Sequence, residues 1–343
     1  MQITIQSDAA RHTVVVGLSG LLLAGALLGV VGRDHFAMGT LFALARWPTL
    51  LTAPLLMGVV RPSTTHLARY VIVALSLAVV IHAVALVFDR LHTSTPEQPI
   101  GEGHTAVVLT ANLRNIPNRP DDTMRALRDA QADLLVIQEV TPAWASLLEQ
   151  HFTSTHPHRL YWPHSGGTHG FALLSKWPLT NHELLYAAGR KLPFAQASLL
   201  TLPHGRVVHL INVHFLSPSG PLRNERHRLY SALKGNAAVR KRQWEQVQAY
   251  IDAHPKSCPS LIVGDLNTLE FEPLHRQVTQ THVDVFRHLN WTPGWTWPVN
   301  RTDLPWLVAR IDYILASPEI AVDHARVVET GGSDHHMVRA VVQ

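Results

Sequence analysis

Residues 13–32, TVVVGLSGLLLAGALLGVVG, form an uncharged run between Arg11 and Arg33. At ~1.5 Å rise per residue, a helix of about twenty residues spans ~30 Å, the hydrocarbon thickness of a bilayer. A second uncharged run, YVIVALSLAVVIHAVALVF at 70–88, lies between Arg69 and Asp89, with Tyr70 where an interfacial aromatic belongs. Between them, WPTLLTAPLLMGVV at 47–60 reaches spanning length, about 41–60, only by taking in Arg46, and reads as a third helix or a re-entrant hairpin. The sequence therefore predicts an N-terminal bundle of about three transmembrane helices over residues 1–88, with membrane lipid as its partner. A cleaved signal peptide is the rival reading of the first run, but two further apolar runs follow it. A transporter is excluded, because Arg46 and His82 are the only ionisable groups in these segments.

Composition points the same way. Hydrophobic residues make up 46% of the chain and charged residues only 16%, against about 25% charged in a soluble protein. A single cysteine, Cys258, excludes a disulfide scaffold. With three helices, Arg11, Arg61 and Arg69 fall on one side and Arg33 and Arg90 on the other. The positive-inside rule then places the N-terminus in the cytoplasm and everything after Phe88 outside the membrane. Residues 89–105, DRLHTSTPEQPIGEGHT, are polar and aperiodic, as in a linker.

From Ala106 the pattern changes to short apolar, β-prone runs. They are AVVLTAN (106–112), DLLVIQE (133–139), FALLSK (171–176), ASLLTL (197–202), VVHLINVH (207–214), SLIVGD (260–265) and ARIDYIL (309–315), with RAVVQ at the end. Helical stretches are predicted at 121–132, 142–151 and 236–253, the last with a 3.6-residue stripe through Val239, Trp244, Val247 and Ile251. Residues 106–343 thus read as one α/β domain with two sheets and outer helices.

The polar residues stand where these strands stop: Asn112, Glu139, His214, Asp265 and Asn267, then Asp312 in RIDYIL and Asp334-His335 in SDHH. Singly, a strand-terminal Asp or Asn is a turn residue, and a His in a chain with 23 of them is packing. Together, carboxylates, an amide and imidazoles on one sheet edge offer hard oxygen ligands for Mg²⁺ or Mn²⁺. No Cys cluster, HExxH, Gly-x-Ser-x-Gly or P-loop pattern competes.

The ordered set TAN, QE, NVH, GDLN, RIDYIL and SDH resembles the endonuclease/exonuclease/phosphatase superfamily over about 106–343. The resemblance implies a four-layered αββα sandwich with two mixed sheets and a metal-dependent hydrolase of phosphate esters. Carried over by position, it implies Glu139 as principal metal ligand, with Asn112 and Asp334 helping to hold the ion or its waters. It implies Asp265 orienting or deprotonating the attacking water and Asn267 steadying the phosphoryl oxygens. His335, oriented by Asp312, would face the phosphate, with His214 as a second imidazole. The sequence names no acidic partner for His214, and Met337 stands where a proline is frequent.

An outward-facing domain would meet lipid headgroups, wall precursors or environmental nucleic acid, so the expected substrate is an extracytoplasmic or membrane-proximal phosphodiester or monoester. Two other functions stay open: a nuclease, and an inactive membrane-anchored binding module, which would have lost the site residues that are present here. Trp291, Trp295, Trp297 and Trp306 before RIDYIL form either a substrate rim or ordinary loop packing. The basic stretch from Arg223 to Arg242 is either a solvated face or a phosphate-binding surface.

Overall fold

The computed structural model describes residues 66–91, 105–116, 118–187, 189–203, 205–218, 229–255, 258–270, 272–299 and 309–343, with isolated positions 20, 23, 24, 26, 27 and 50. The chain divides into two compact units, Met1–His92 with Leu269–Arg276, and Thr93–Thr268 with Gln277–Gln343.

The expected N-terminal bundle of about three transmembrane helices is not supported. Among the described residues no helix is long and apolar enough to cross a membrane. The run at 70–88 does form a helix, α1 (His66–Leu91). Val71, Leu75, Ala78 and His82 are buried along one face of it, whereas Tyr70, Val73, Leu77, Val80 and Val84 are exposed. Hydropathy along a run counts apolar side chains wherever they point, so it specifies helix and burial without specifying the medium. The runs at 13–32 and 41–60 lie almost wholly outside the described residues, as does most of the linker at 89–105.

In the second unit, β1 (Ala106–Asn112), β2 (Leu134–Gln138), β3 (His158–Trp162), β4 (Phe171–Ser175), β11 (Val322–Val328) and β12 (Met337–Val342) form one sheet in the order β11-β12-β1-β2-β4-β3. The other sheet holds β5 (Leu179–Tyr186), β6 (Pro193–Thr201), β7 (Val207–His214), β8 (Ser260–Asp265), β9 (Val283–Asp284) and β10 (Asp312–Ala316), in the order β5-β6-β7-β8-β10-β9. Both sheets are mixed: β1–β2 and β7–β8 are parallel, and the other pairs are antiparallel.

Side-chain alternation builds the core. Val108, Val136 and Leu173 of the first sheet meet Leu210, Val263 and Ile314 of the second. The intervening Leu109, Leu135 and Ile137 pack outward on Met124 and Leu127 of α2 (Pro120–Asp129) and on Trp144, Leu148 and Phe152 of α3 (Pro142–Phe152). With both faces covered, these strands read as continuous apolar runs, which is why the sequence shows them. Thr141 caps α3, its hydroxyl accepting from Trp144 N at 3.3 Å. On the other side α4 (Leu229–Asp252) buries Trp244 and Val247, and its Gln243 accepts from Leu216 N just after β7.

The same period of two carries Thr110 and Asn112 inward after Val108, Asn212 and His214 after Leu210, Asp265 after Val263, and Asp312 before Ile314. The layer between the sheets is thus apolar along most of its length and polar at one end. At the junction, fully buried Gln138 Nε2 donates to Asn212 Oδ1 across the sheets at 2.8 Å. Asn212 Nδ2 donates to Ile137 O and Ala172 O at 2.9 and 3.2 Å, and Thr110 Oγ1 donates to Gln138 Oε1 at 3.3 Å.

Strands β3, β5 and β11 escape the sequence reading because they lie at sheet edges and are half exposed, so polar residues interrupt their apolar pattern. Asn212→Ala removes the partner of Gln138 and the donor to two buried carbonyls. It should lower the unfolding free energy by about 2–4 kcal/mol, read from urea denaturation. A loss under about 0.5 kcal/mol would mean that the amide bridge does not hold the sheets together.

Candidate active site

Seven of the eight candidate residues converge at the polar end of the inter-sheet layer. Asn112 Nδ2 donates to Glu139 Oε1 at 3.2 Å and to Asp265 Oδ2 at 3.1 Å, so one amide spaces two carboxylates drawn from different sheets. The second Glu139 oxygen accepts from Asn115 N at 2.8 Å. His335 Nδ1 lies 3.0 and 3.2 Å from the two Asp312 oxygens. Its Nε2 lies 4.0 Å from Asp265 Oδ2, and His214 Nε2 lies 3.6 Å from the same oxygen and 3.9 Å from Glu139 Oε1. Asn267 N donates to Asp265 Oδ1 at 2.8 Å, and its side-chain Nδ2 donates to Phe215 O at 3.0 Å. Asp334 alone stands on the rim, 36% exposed, with the Arg114 guanidinium 4.0 Å away.

Local backbone geometry makes this convergence possible. Glu139, Asn267 and Arg114 all have left-handed backbones, with φ of 59°, 49° and 60°. Such positions cost of order 1 kcal/mol or more outside glycine and persist where the surroundings fix them. For Glu139 the turn ends β2 and swings the carboxylate over Asn112. Gly264 (φ 141°) lets β8 approach β7 closely, since a Cβ there would stand 2.1 Å from Val213 O. Arg310 clamps Asp284 with two bonds of 2.9 and 2.6 Å and lies over the Tyr313 ring, fixing the start of the strand that carries Asp312.

Several groups at the site are illegible in the sequence. The partner of His214 is the Thr168 carbonyl, which lies 2.8 Å from His214 Nδ1. Every residue has a carbonyl, so no motif announces this one. Ser333 Oγ donates to Asn112 O at 2.7 Å and accepts from His335 N at 3.1 Å, tying the SDHH loop to β1. Thr296 Oγ1 accepts from Ile311 N and Asp312 N, and the neighbouring Trp297 ring lies 6.4 Å from the His335 ring, centroid to centroid. Of the tryptophan group, Trp291 and Trp295 are exposed and Trp306 lies outside the described residues. In the basic stretch Arg240 is buried and bonds Leu216 O, whereas Arg223, Arg226 and Arg228 lie outside the described residues.

Burial, followed by repulsion from Asp312, pushes the Asp265 carboxyl up to about 6. Burial alone would depress the His335 imidazole, but the Asp312 carboxylate, aided by Asp265 and Asp334, lifts it to about 10. His335 is therefore a cation at neutral pH, held between two carboxylates.

Ligand atoms of Asp265, Asp312 and His335 lie within 4.8 Å of one another, close enough to hold an ion by distance alone. The hydrogen bonding argues against that trio, because both Asp312 oxygens already face a cationic imidazole. Glu139 fits a divalent cation better: its oxygens meet the neutral N–H groups of Asn112 and Asn115, with no arginine or lysine paired to it among the described residues.

The sequence profile of the Endonuclease/Exonuclease/phosphatase family matches residues 109–335. The chain belongs to that family. Its members are generally phosphoester hydrolases and usually use divalent metal ions. Among solved structures, D. rerio TDP2 complexed with single-strand DNA product is similar at TM-score 0.57, 17% identical, covering 70% of this chain and 100% of that one. An endonuclease/exonuclease/phosphatase from Beutenbergia cavernae matches at TM-score 0.53 and 19% identity, over 70% and 72% of the two chains. A Bacteroides vulgatus member matches at 0.55 and 14%, over 70% and 99%. At these identities the likeness shows the fold alone. No curated protein matches the chain.

Both raised groups favour their protonated forms in the folded state. The stability linked to Asp265 is complete below about pH 4 and is lost as pH rises through about 6. That linked to His335 is complete below about 6.5 and is lost as pH rises through about 10. Asp312→Asn removes the main charge that raises His335. In the metal-free protein it should move the His335 titration to lower pH, followed by NMR of its ring. An unmoved His335 titration would disprove the pairing.

Proposed function

We propose that this phosphoesterase is a divalent-metal-dependent phosphodiesterase, with Asp265 as the group that takes the proton from the attacking water. The observation that carries this reading is the placement of one Asp265 oxygen 3.6 Å from His214 Nε2 and 4.0 Å from His335 Nε2. A general base works best when its pKa lies near the working pH, and Asp265 at about 6 meets that condition. His335, at about 10, is already protonated and unsuited to accept a proton. Its Nε2–H instead donates to a phosphoryl oxygen, and Asp312 keeps the ring oriented. His214, anchored through Nδ1 on Thr168 O, presents Nε2 to the same space. Asn267 holds Asp265 in place through its backbone N–H, with its own amide anchored on Phe215 O. Glu139, with Asn112 and Asp334 nearby, would hold Mg²⁺ or Mn²⁺, which when bound supplies positive charge against the charge that develops on the phosphoryl group.

With the helical bundle withdrawn, the choice among lipid-headgroup, wall-precursor and nucleic-acid esters rests on the site itself. A nuclease is the second reading. It draws on the ring of Trp297 beside His335 and on the exposed Trp291 and Trp295, since bases stack on such faces. The D. rerio neighbour is complexed with a single-strand DNA product, which supports this second reading.

Hydrolysis of bis(p-nitrophenyl) phosphate by the full-length chain with Mg²⁺ should cease with EDTA. It should fall by about 10²- to 10⁴-fold in Asp265→Asn, and by a similar factor in His335→Gln. Glu139→Gln should instead raise the Mg²⁺ concentration needed for half-maximal rate. Hydrolysis that survives EDTA, or an Asp265→Asn rate within twofold of the parent, would sink the assignment.

A further inference from the structure

The outer face of the second sheet carries a group of polar rings that the chemistry above does not use. Side chains alternate along β7, so Leu210, Asn212 and His214 face the inter-sheet layer and His209 faces the opposite way. There the His209 ring meets Tyr250, in the last turn of α4, edge to face with centroids 5.6 Å apart. It also meets His254, two residues beyond that helix, with centroids 4.6 Å apart and the ring planes at 67°. Tyr250 and His254 close the triangle at 4.6 Å. Five residues of strand, about 17 Å, separate His209 from His214, so the cluster is remote from the reacting groups.

The cluster leaves polar atoms unsatisfied. His209 is 1% exposed, and neither its Nδ1 nor its Nε2 has a hydrogen-bond partner. The Tyr250 hydroxyl is buried and likewise without one. Native interiors pair nearly all such groups, and an orphan marks a place for an ion or a water. His254 is arranged differently. Its Nδ1 lies 2.8 Å from Tyr250 O, and a carbonyl only accepts, so Nδ1 carries the proton and Nε2 the lone pair. A metal-bound imidazole is held in the same way, with its far nitrogen donating to a carbonyl or carboxylate. Burial lowers the His209 pKa, with the charge of His254 adding to the effect, and burial pushes Tyr250 up to about 12. Both are therefore neutral near pH 7, and the neutral imidazole is the form that ligates.

Two imidazoles on one tetrahedral Zn²⁺, at Zn–N of about 2.0–2.1 Å, place their ring centres about 5 Å apart. His209 and His254, at 4.6 Å, stand within a small ring rotation of that spacing. We propose that these two histidines hold a transition-metal dication of the Zn²⁺ class, which ties the end of α4 to β7 and is separate from the Mg²⁺ or Mn²⁺ of the reacting centre. Ligand type keeps the two ions apart: imidazole nitrogen here, hard oxygen there. His254 is half-buried, so water reaches the remaining positions from its side. Cys258 Sγ donates to Val207 O at 3.3 Å, and burial raises its thiol, so it stays protonated and is not one of the ligands.

The test uses the full-length chain, stripped of metal and returned to excess Mg²⁺ so that the reacting centre is filled. Equilibrium dialysis against Zn²⁺ should leave one more ion per chain on the parent than on His209→Phe/His254→Phe. Zn²⁺ taken up by other histidines is common to both proteins and cancels. Zn²⁺ should also raise the Tm of the parent by more than that of the variant, since an ion that binds only the folded chain stabilises it. His254→Ala, a change at a half-buried position, should lose the same ion. In the parent, nitrogen NMR of the imidazoles should show Zn²⁺ shifting one ring nitrogen of His209 and Nε2 of His254, while Nδ1 of His254 keeps its proton. Equal Zn²⁺ on the parent and His254→Ala, or ring nitrogens that stay unmoved at saturating Zn²⁺, overturns the site and leaves the cluster as a place for buried water. These two readings decide the matter even where the double variant does not fold.

Discussion

The hydrogen bond between Gln138 and Asn212 is the hinge of this architecture. Below it the two sheets meet through Val108, Val136, Val263 and Ile314, and cohesion is hydrophobic and indifferent to small sliding. Above it the same alternation of side chains delivers amides, carboxylates and imidazoles, whose chemistry tolerates little displacement. A buried amide pair with its remaining donors on Ile137 O and Ala172 O fixes one sheet against the other in all three directions. Asn112, Glu139, Asp265 and Asp312 inherit their spacing from that fixed registration. An unpaired amide here would cost about 1–3 kcal/mol per group, so the bridge also selects against slipped packings of the sheets.

The site divides its carboxylates by environment. Asp312 is committed to His335, Asp265 sits between two imidazoles, and Glu139 accepts from the N–H groups of Asn112 and Asn115, with His214 Nε2 3.9 Å away. On the reading proposed above, these three carboxylates take separate tasks: orienting a cation, taking a proton, and holding a metal. None of this needs an unusual residue. It needs strands from two sheets to end at one level, with left-handed backbones at Glu139 and Asn267 to turn the chain aside.

What was legible in the sequence was what a strand buried on both faces must reveal. β1, β2, β7 and β8 are largely apolar runs, and the polar residue that ends or follows each of them stands out. Edge strands β3 and β5 were hidden because half of each faces water. The Thr168 carbonyl and the Asn115 N–H were hidden because backbone groups have no sequence signature. Asp334 lies one residue from His335, yet it sits on the rim beside Arg114, since neighbours on a strand-entry loop point in different directions. The apolar run at 70–88 foretold a helix correctly, but no helix among the described residues is long and apolar enough to cross a membrane, so the spanning bundle read into such runs is not supported.

The register of β1 with β12 has a practical consequence. Ala106 pairs with Val342, while Thr110, two residues short of Asn112, pairs with Val338. The catalytic unit is thus entered and left at neighbouring points, about 20 Å of strand from the reacting groups. Because the two points adjoin, a short peptide could join them and new termini could be opened in an exposed edge turn, giving a circularly permuted enzyme with the same inner layer.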